Sequence, residues 1–176
     1  MRGGLKGERP ARGSRYDPGM SAKPLAVRLL EQKKIPHEVL AFDDAIRSAD
    51  GVAAVTGIAP ELVYKTLVIE QEPPKGKPYL VLVPSTREVN LRKLAANLGV
   101  KKLRMATHKD AERYTGLQVG GISALALLGK GFPVCIAAEA REHDQFIVSA
   151  GQRGMDVRLA VSDLMALTEA KFVSVG

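Results

Sequence analysis

The chain has 176 residues, 45% of them apolar and 26% charged, with a net charge of +7 and a single cysteine. These values describe one ordinary globular domain with enough chain for a real core but not for a second domain of equal weight. No window approaches the roughly 18 uninterrupted apolar residues of a membrane span, and the lone Cys135 excludes an internal disulfide and argues against a metal site built on thiolates.

The first stretch, "MRGGLKGERPARGSRYDPG", carries five basic and two acidic residues and almost no aliphatic ones. It lacks the apolar segment of a secretory signal. Residues 1–19 are expected to form a disordered basic extension, with Met20 as a natural start and residues 20–176 as the folded domain. Without an export signal, a reducing cytoplasm is the expected compartment.

The domain opens with a helix in "SAKPLAVRLLEQKKIP". Ser21 can cap it, Leu25, Leu29 and Leu30 form its apolar stripe, and Pro36 stops it. "HEVLAF" alternates as a short strand ending at Phe42. "DDAIRSADGVAAVTG" places small residues at helical spacing and closes on Gly57, and "IAPELV" adds at most one turn.

A strand over about residues 65–72 follows. In "VYKTLVIE" the alternation puts Lys65 on one face with Val63, Leu67 and Ile69. An ammonium there must be solvated, paired or used. It is either a rim lysine whose head reaches water or a functional cation, and periodicity does not choose between them. "PPKGKP" is a turn and "YLVLVPST" a second strand, so the two predict a hairpin.

"VNLRKLAANLGV" is the clearest helix. Asn90 caps it, Val89 can staple onto Leu94, Leu91, Leu94, Ala95 and Leu98 share a face, and Gly99 terminates it. Arg92 and Lys93 sit in its first turn, where the helix dipole favours negative charge, a weak sign of anion binding. Beyond it, "KKLRMAT" suggests a strand, "HKDAERYTG" a short helix, and "LQVGGISALALLGKG" a glycine-punctuated stretch. "FPVCIAAEA", "QFIVSAG" and "MDVRLA" predict strands, and "SDLMALTEA" a capped helix. Hairpins mixed with helices, without a regular βαβ rhythm, give an α/β domain of mixed α+β type: a curled mixed sheet or partial barrel flanked by helices.

Between Arg87 and Lys109 lie Arg87, Arg92, Lys93, Lys101, Lys102, Arg104 and Lys109 against Glu88 alone. Such segregation suits either a polyanion such as nucleic acid or a solvated lysine-rich face. Catalytic patterns are sparse. "GKG" lacks the Walker spacing, there is no GxGxxG and no GxSxG, and His37, His108 and His143 have no partners at metal-ligand spacing. Gly120 and Gly121 would let a backbone approach a ligand, although a glycine pair is more often purely structural.

"PELVYKTLVIE", "LQVGGIS" and "IVSAGQRGMDVRLAVSDL", in this order, resemble the YbaK/EbsC family, free-standing relatives of the bacterial prolyl-tRNA synthetase editing domain. The resemblance runs from about Lys23 to Val173 and includes "LRKLAANLGVKKLRMA". It implies the fold of that family and a trans-acting deacylase that removes cysteine, or another small amino acid such as alanine, from mischarged tRNA(Pro). The reaction would be hydrolytic, or lyase-type if the substrate thiol cyclises, with no cofactor and no metal. It further implies that Lys65 is catalytic and that Phe42, Thr66, Gly120, Gly121, Ile122, Ser123, Ser149, Gly151 and Asp156 contact substrate. Arg87, Arg92, Lys93, Lys101, Lys102 and Arg104 would hold the tRNA acceptor end, and a prolyl-tRNA synthetase is the candidate protein partner. Three departures stand out: Ala150 replaces a glycine, Ala124 a proline, and Phe42 a tyrosine. The latter two border the expected pocket and leave open a non-catalytic tRNA- or protein-binding module of the same fold.

Overall fold

A computed structural model describes residues 23–46 and 48–176. The expected basic extension and the Ser21 cap lie outside the described residues. The element order is α1 (Leu25–Gln32), β1 (His37–Ala41), α2 (Ala49–Thr56), β2 (Tyr64–Gln71), β3 (Tyr79–Pro84), α3 (Leu91–Leu98), β4 (Leu103–Met105), α4 (His108–Thr115), β5 (Val134–Ala137), β6 (Gln145–Gln152), β7 (Met155–Ala160), α5 (Val161–Thr168) and β8 (Lys171–Val173). Short 3₁₀ turns at Pro60–Leu62 and Ala138–Glu142 precede β2 and β6.

The strands form two sheets, ordered β1-β7-β6 and β4-β2-β3-β5-β8. The smaller is antiparallel. The larger is mixed: β2 pairs antiparallel with β3 and β4, whereas β5 joins β3 and β8 in parallel. A single parallel bridge, Val63 to Ile147, links the two. The curled mixed architecture is therefore realised as two sheets meeting at the start of β2.

Local chemistry explains most boundaries. Ser48, Asn90 and Thr107 accept backbone N–H bonds at the starts of α2, α3 and α4, and Gly57, Gly99 and Gly116 end those helices in left-handed conformation. One expectation needs correction, and one strand was not foreseen. Helix α5 starts at Val161 without a side-chain cap, because the Val161 N–H donates to the Asp144 carbonyl at 3.0 Å, so a neighbouring loop does the work expected of Ser162. Strand β8 gave no signal of its own: three residues after a helix become a strand only by pairing with β5.

The main core, which includes Leu80, Leu82, Leu94, Ile136 and Phe146, fills the space around the large sheet. A small satellite of Val52, Ala53, Val63 and Ile147, with Leu40, Phe42, Ile46 and Ile58 against it, lies under α2 at the junction of the sheets.

Candidate active site

At that junction lies a pocket of about 200 Å³, lined from both sheets and from α2. The large sheet supplies Val63, Tyr64, Lys65, Thr66 and Leu67, and the small sheet Ser149 and Asp156. The segment before α2 gives Phe42, Ile46 and Ser48, helix α2 gives Val52, and the glycine-rich loop gives Val119, Gly120 and Ile122. Lys65, half-buried opposite Val83 in the hairpin, lies on this wall and forms no ion pair among the described residues.

Asp156 is the pocket's carboxylate. It sits on the central strand of the small sheet, opposite Ser149, and is 9% exposed. Burial pushes its pKa up from 3.8 to about 7. A carboxyl so tuned, unpaired among the described residues and facing a cleft, is suited to meeting a cationic ligand group or to moving a proton near neutrality.

Glycines set the shape of the walls. Gly154 has φ of 80°, and a Cβ there would come within 2.8 Å of the Phe42 carbonyl oxygen. Its own carbonyl accepts the Phe42 N–H at 2.9 Å, which fixes the aromatic wall. Gly51 at the start of α2 leaves room for Ile46, whose Cγ2 would lie 2.8 Å from an added Cβ. Behind the glycine-rich loop, a Cβ on Gly121 would meet the Gln152–Arg153 backbone at 2.9 Å, so this loop packs directly against the β6–β7 turn.

That packing separates the residues implied by the resemblance into two groups. Lys65, Phe42, Thr66, Gly120, Ile122, Ser149 and Asp156 line the pocket. Gly121, Ser123 and Gly151 stand behind the lining. The Gly121 N–H donates to Gln118 at 2.8 Å, the buried Ser123 hydroxyl accepts the Ala126 N–H at 3.2 Å, and the Gly151 N–H donates to the Ser149 hydroxyl at 3.2 Å. These three hold the loops rather than face a ligand. The loop amides of Gly120 and Ile122, two of the pocket's lining residues, donate to no described acceptor. Ala124 also lies away from the pocket, against a separate cleft with Leu80 and Leu127.

Ile46, Ser48, Val52, Val63, Tyr64, Leu67 and Val119 complete the lining and were not foreseen as pocket residues. In the sequence Ile46, Ser48 and Val52 look like an ordinary small-residue helix and its approach, Val63, Tyr64 and Leu67 like an ordinary strand, and Val119 like part of the glycine-punctuated stretch.

The basic segment divides as well. Arg104 donates to buried Glu70 at 2.9 Å, Lys102 pairs with Glu72 at 3.2 Å, and Arg87 donates to the Gly176 carbonyl at 3.1 Å. Arg92, Lys93 and Lys101 are exposed and unpaired among the described residues. No group of His, Cys, Asp or Glu among the described residues is arranged to hold a metal ion. Cys135 is buried, and desolvation raises its thiol to about 11, which keeps it inert.

The aminoacyl-tRNA editing domain family matches residues 43–167. EbsC of Enterococcus faecalis, to which Cys-tRNA(Pro)/Cys-tRNA(Cys) deacylase activity is assigned, is 37% identical over 155 residues, spanning 87% of this chain and 93% of that protein. A proline–tRNA ligase of Nitratidesulfovibrio vulgaris is 35% identical over 78 residues, 44% of this chain and 13% of the ligase. Among solved structures, one described as a trans-editing enzyme for prolyl tRNA synthetase superimposes with a TM-score of 0.73 at 24% identity, covering 88% of this chain and 98% of that one.

Proposed function

Because the chain belongs to the aminoacyl-tRNA editing domain family, we propose that it is a trans-acting deacylase that hydrolyses a small amino acid, cysteine first, from mischarged tRNA(Pro). The observation that carries this reading is the presence of Lys65, from one sheet, and Asp156, from the other, in the lining of one small pocket at the sheet junction. An aminoacyl ester on the terminal adenosine of tRNA presents an α-ammonium, an ester carbonyl and a nearby phosphate. Asp156, ionised above about pH 7, suits the ammonium. Lys65 suits the phosphate or the developing oxyanion, and the Gly120 and Ile122 amides supply further donors for the latter.

The lining of Phe42, Ile46, Val52, Val63, Leu67 and Ile122 is apolar, and about 200 Å³ falls below the roughly 300–1,000 Å³ of pockets for drug-sized ligands. It suits a short side chain. The ester is already activated, so a few kcal/mol of carbonyl polarisation and positioning are enough without a nucleophilic triad. Water then attacks the ester carbonyl, directly or oriented by the neighbouring ribose hydroxyl, and displaces the tRNA hydroxyl; in the lyase-type alternative the substrate's own thiol displaces it and water opens the resulting cyclic thioester. Hydrolysis breaks the acyl–oxygen bond and yields the free amino acid and intact tRNA. A second pocket of this kind is required because a site that selects proline cannot strongly reject a side chain of similar size.

Arg92, Lys93 and Lys101 supply sequence-independent phosphate contacts to the acceptor stem, and Arg87, Lys102 and Arg104 contribute by exchanging their present partners for phosphates. A prolyl-tRNA synthetase is the partner that would add tRNA selectivity. The reaction is placed in the cytoplasm, where tRNA is charged. No helix of the described residues is long and apolar enough to cross a membrane.

The test is to incubate the protein with Cys-, Ala- and Pro-tRNA(Pro) and follow loss of the ester. Cys-tRNA(Pro) is expected to be cleared fastest and Pro-tRNA(Pro) spared. Binding of tRNA without hydrolysis of any of the three would replace this reading with a non-catalytic binding module.

A further inference from the structure

The glycine-rich loop reaches the pocket through one tight turn. The Gly121 N–H donates to the Gln118 carbonyl at 2.8 Å, which makes Val119 and Gly120 the two central residues of a β-turn. Gly120 has φ of 94°, the positive value that a type II turn demands at its third position. Types I and II differ chiefly in which way the central peptide unit faces, here the Val119 C=O with the Gly120 N–H. Glycine accepts either sign of φ, so the residue type permits the observed orientation without enforcing it.

Two side chains from outside the turn take hold of Val119. Arg153 Nε, from the β6–β7 turn, donates to the Val119 carbonyl at 2.9 Å, and Glu112 Oε1, from α4, accepts the Val119 N–H at 3.1 Å. Arg153 forms no ion pair among the described residues, so a guanidinium that ordinarily seeks a carboxylate is engaged with a neutral backbone oxygen. The peptide between Val119 and Gly120 is trans, so its C=O and N–H point in opposite directions. With the oxygen turned to Arg153, the Gly120 N–H is turned away from it and meets no described acceptor, and both residues line the pocket.

We propose that Arg153 and Glu112 are positioning residues for deacylation: together they lock the Val119–Gly120 peptide in its type II orientation, which presents the Gly120 N–H to the oxygen of the reacting ester. A flipped peptide would put the Val119 carbonyl oxygen where the donor stands and repel the developing oxyanion. Glu112 fixes the entry to the turn, and Arg153 decides which face of the central peptide the pocket meets. The ester comes from the deacylase reading, whereas the lock is a property of the loop itself.

The experiment uses the full chain with isotope labels on the valine carbonyl carbon and the glycine nitrogen. Only the Val119–Gly120 and Val175–Gly176 pairs then give a carbonyl–amide signal, and the second is identified by its loss in a chain ending at Val175. Arg153→Met is expected to move the Val119 carbonyl resonance and to broaden or double the signal. It should lower kcat for Cys-tRNA(Pro) about tenfold with KM changed by less than about twofold. Glu112→Ala should lower kcat about threefold, and Glu112→Gln, whose amide oxygen can still accept the Val119 N–H, should restore it. An unmoved signal in Arg153→Met, a moved signal with kcat at the wild-type value, or a Glu112→Gln variant no better than Glu112→Ala overturns the proposal. If the wild-type protein hydrolyses no mischarged tRNA, the deacylase reading fails by itself, and the signal in Arg153→Met still decides the lock.

Discussion

Strand β2 carries a charged side chain near each end, and the two are treated in opposite ways. At the far end Glu70, 3% exposed, accepts Arg104 Nε at 2.9 Å and the Tyr114 hydroxyl at 2.6 Å. At the near end Lys65, and Asp156 in the lining of the same pocket, have no such partners among the described residues, and burial alone pushes the Asp156 carboxyl up to about 7. A buried carboxylate that is paired serves the fold, whereas one left bare lowers stability and is retained for what it binds. The comparison sets a paired charge against unpaired ones, on β2 of one sheet and β7 of the other.

The largest expected effect is on chemistry at the near end. Lys65→Ala should reduce deacylation by about a hundredfold, equivalent to about 2.7 kcal/mol, with the melting temperature unchanged. A variant that deacylates at the wild-type rate would remove Lys65 from the mechanism.

Asp156→Asn should separate function from stability. The folded pKa of about 7 lies above the ordinary 3.8, so the native state holds a proton that the unfolded chain has lost. Stability therefore falls as pH rises from about 4 to about 7, and the full cost, up to about 4 kcal/mol, is present above that range. The asparagine variant should melt at a higher temperature than wild type at pH 8, gain nothing at pH 4, and lose most activity. Melting curves at the two pH values check the sign.

Glu70→Gln is the mirror experiment. Removing this charge weakens the bond from half-exposed Arg104 and should cost about 2 kcal/mol by denaturant titration. If Glu70→Gln and Asp156→Asn shifted stability in the same direction at pH 8, the contrast would fail. Tyr114→Phe is smaller, about 1 kcal/mol, with deacylation unchanged. Smallest is Lys101→Gln, which should lower the salt slope of tRNA binding by about 1 and leave kcat alone.

The sequence discloses the local parts of this molecule better than the distant ones. The β2–β3 hairpin, the Asn90 cap and the glycine stops are legible because their chemistry lies within a few residues of each boundary. Strand β8 and the division into two sheets depend on partners far along the chain, and no local pattern reports them. Lys65 announced itself as a charge on an apolar face, but its pocket was legible only through the family resemblance, which also named Asp156. Ile46 and Val52 were hidden because an apolar pocket wall looks like core. The roles of Gly121, Ser123 and Gly151 could not be told from those of true lining residues, since the backing of a wall leaves the same motif as its face.

The single bridge between Val63 and Ile147 makes the site a joint property of two otherwise separate hydrogen-bonded units. Neither sheet contains the pair Lys65 and Asp156 by itself. On the proposed mechanism activity is thereby a test of assembly: a conformer that loosens this seam while both sheets persist would keep its circular dichroism yet abandon its chemistry, so inactivation should precede melting on gentle heating.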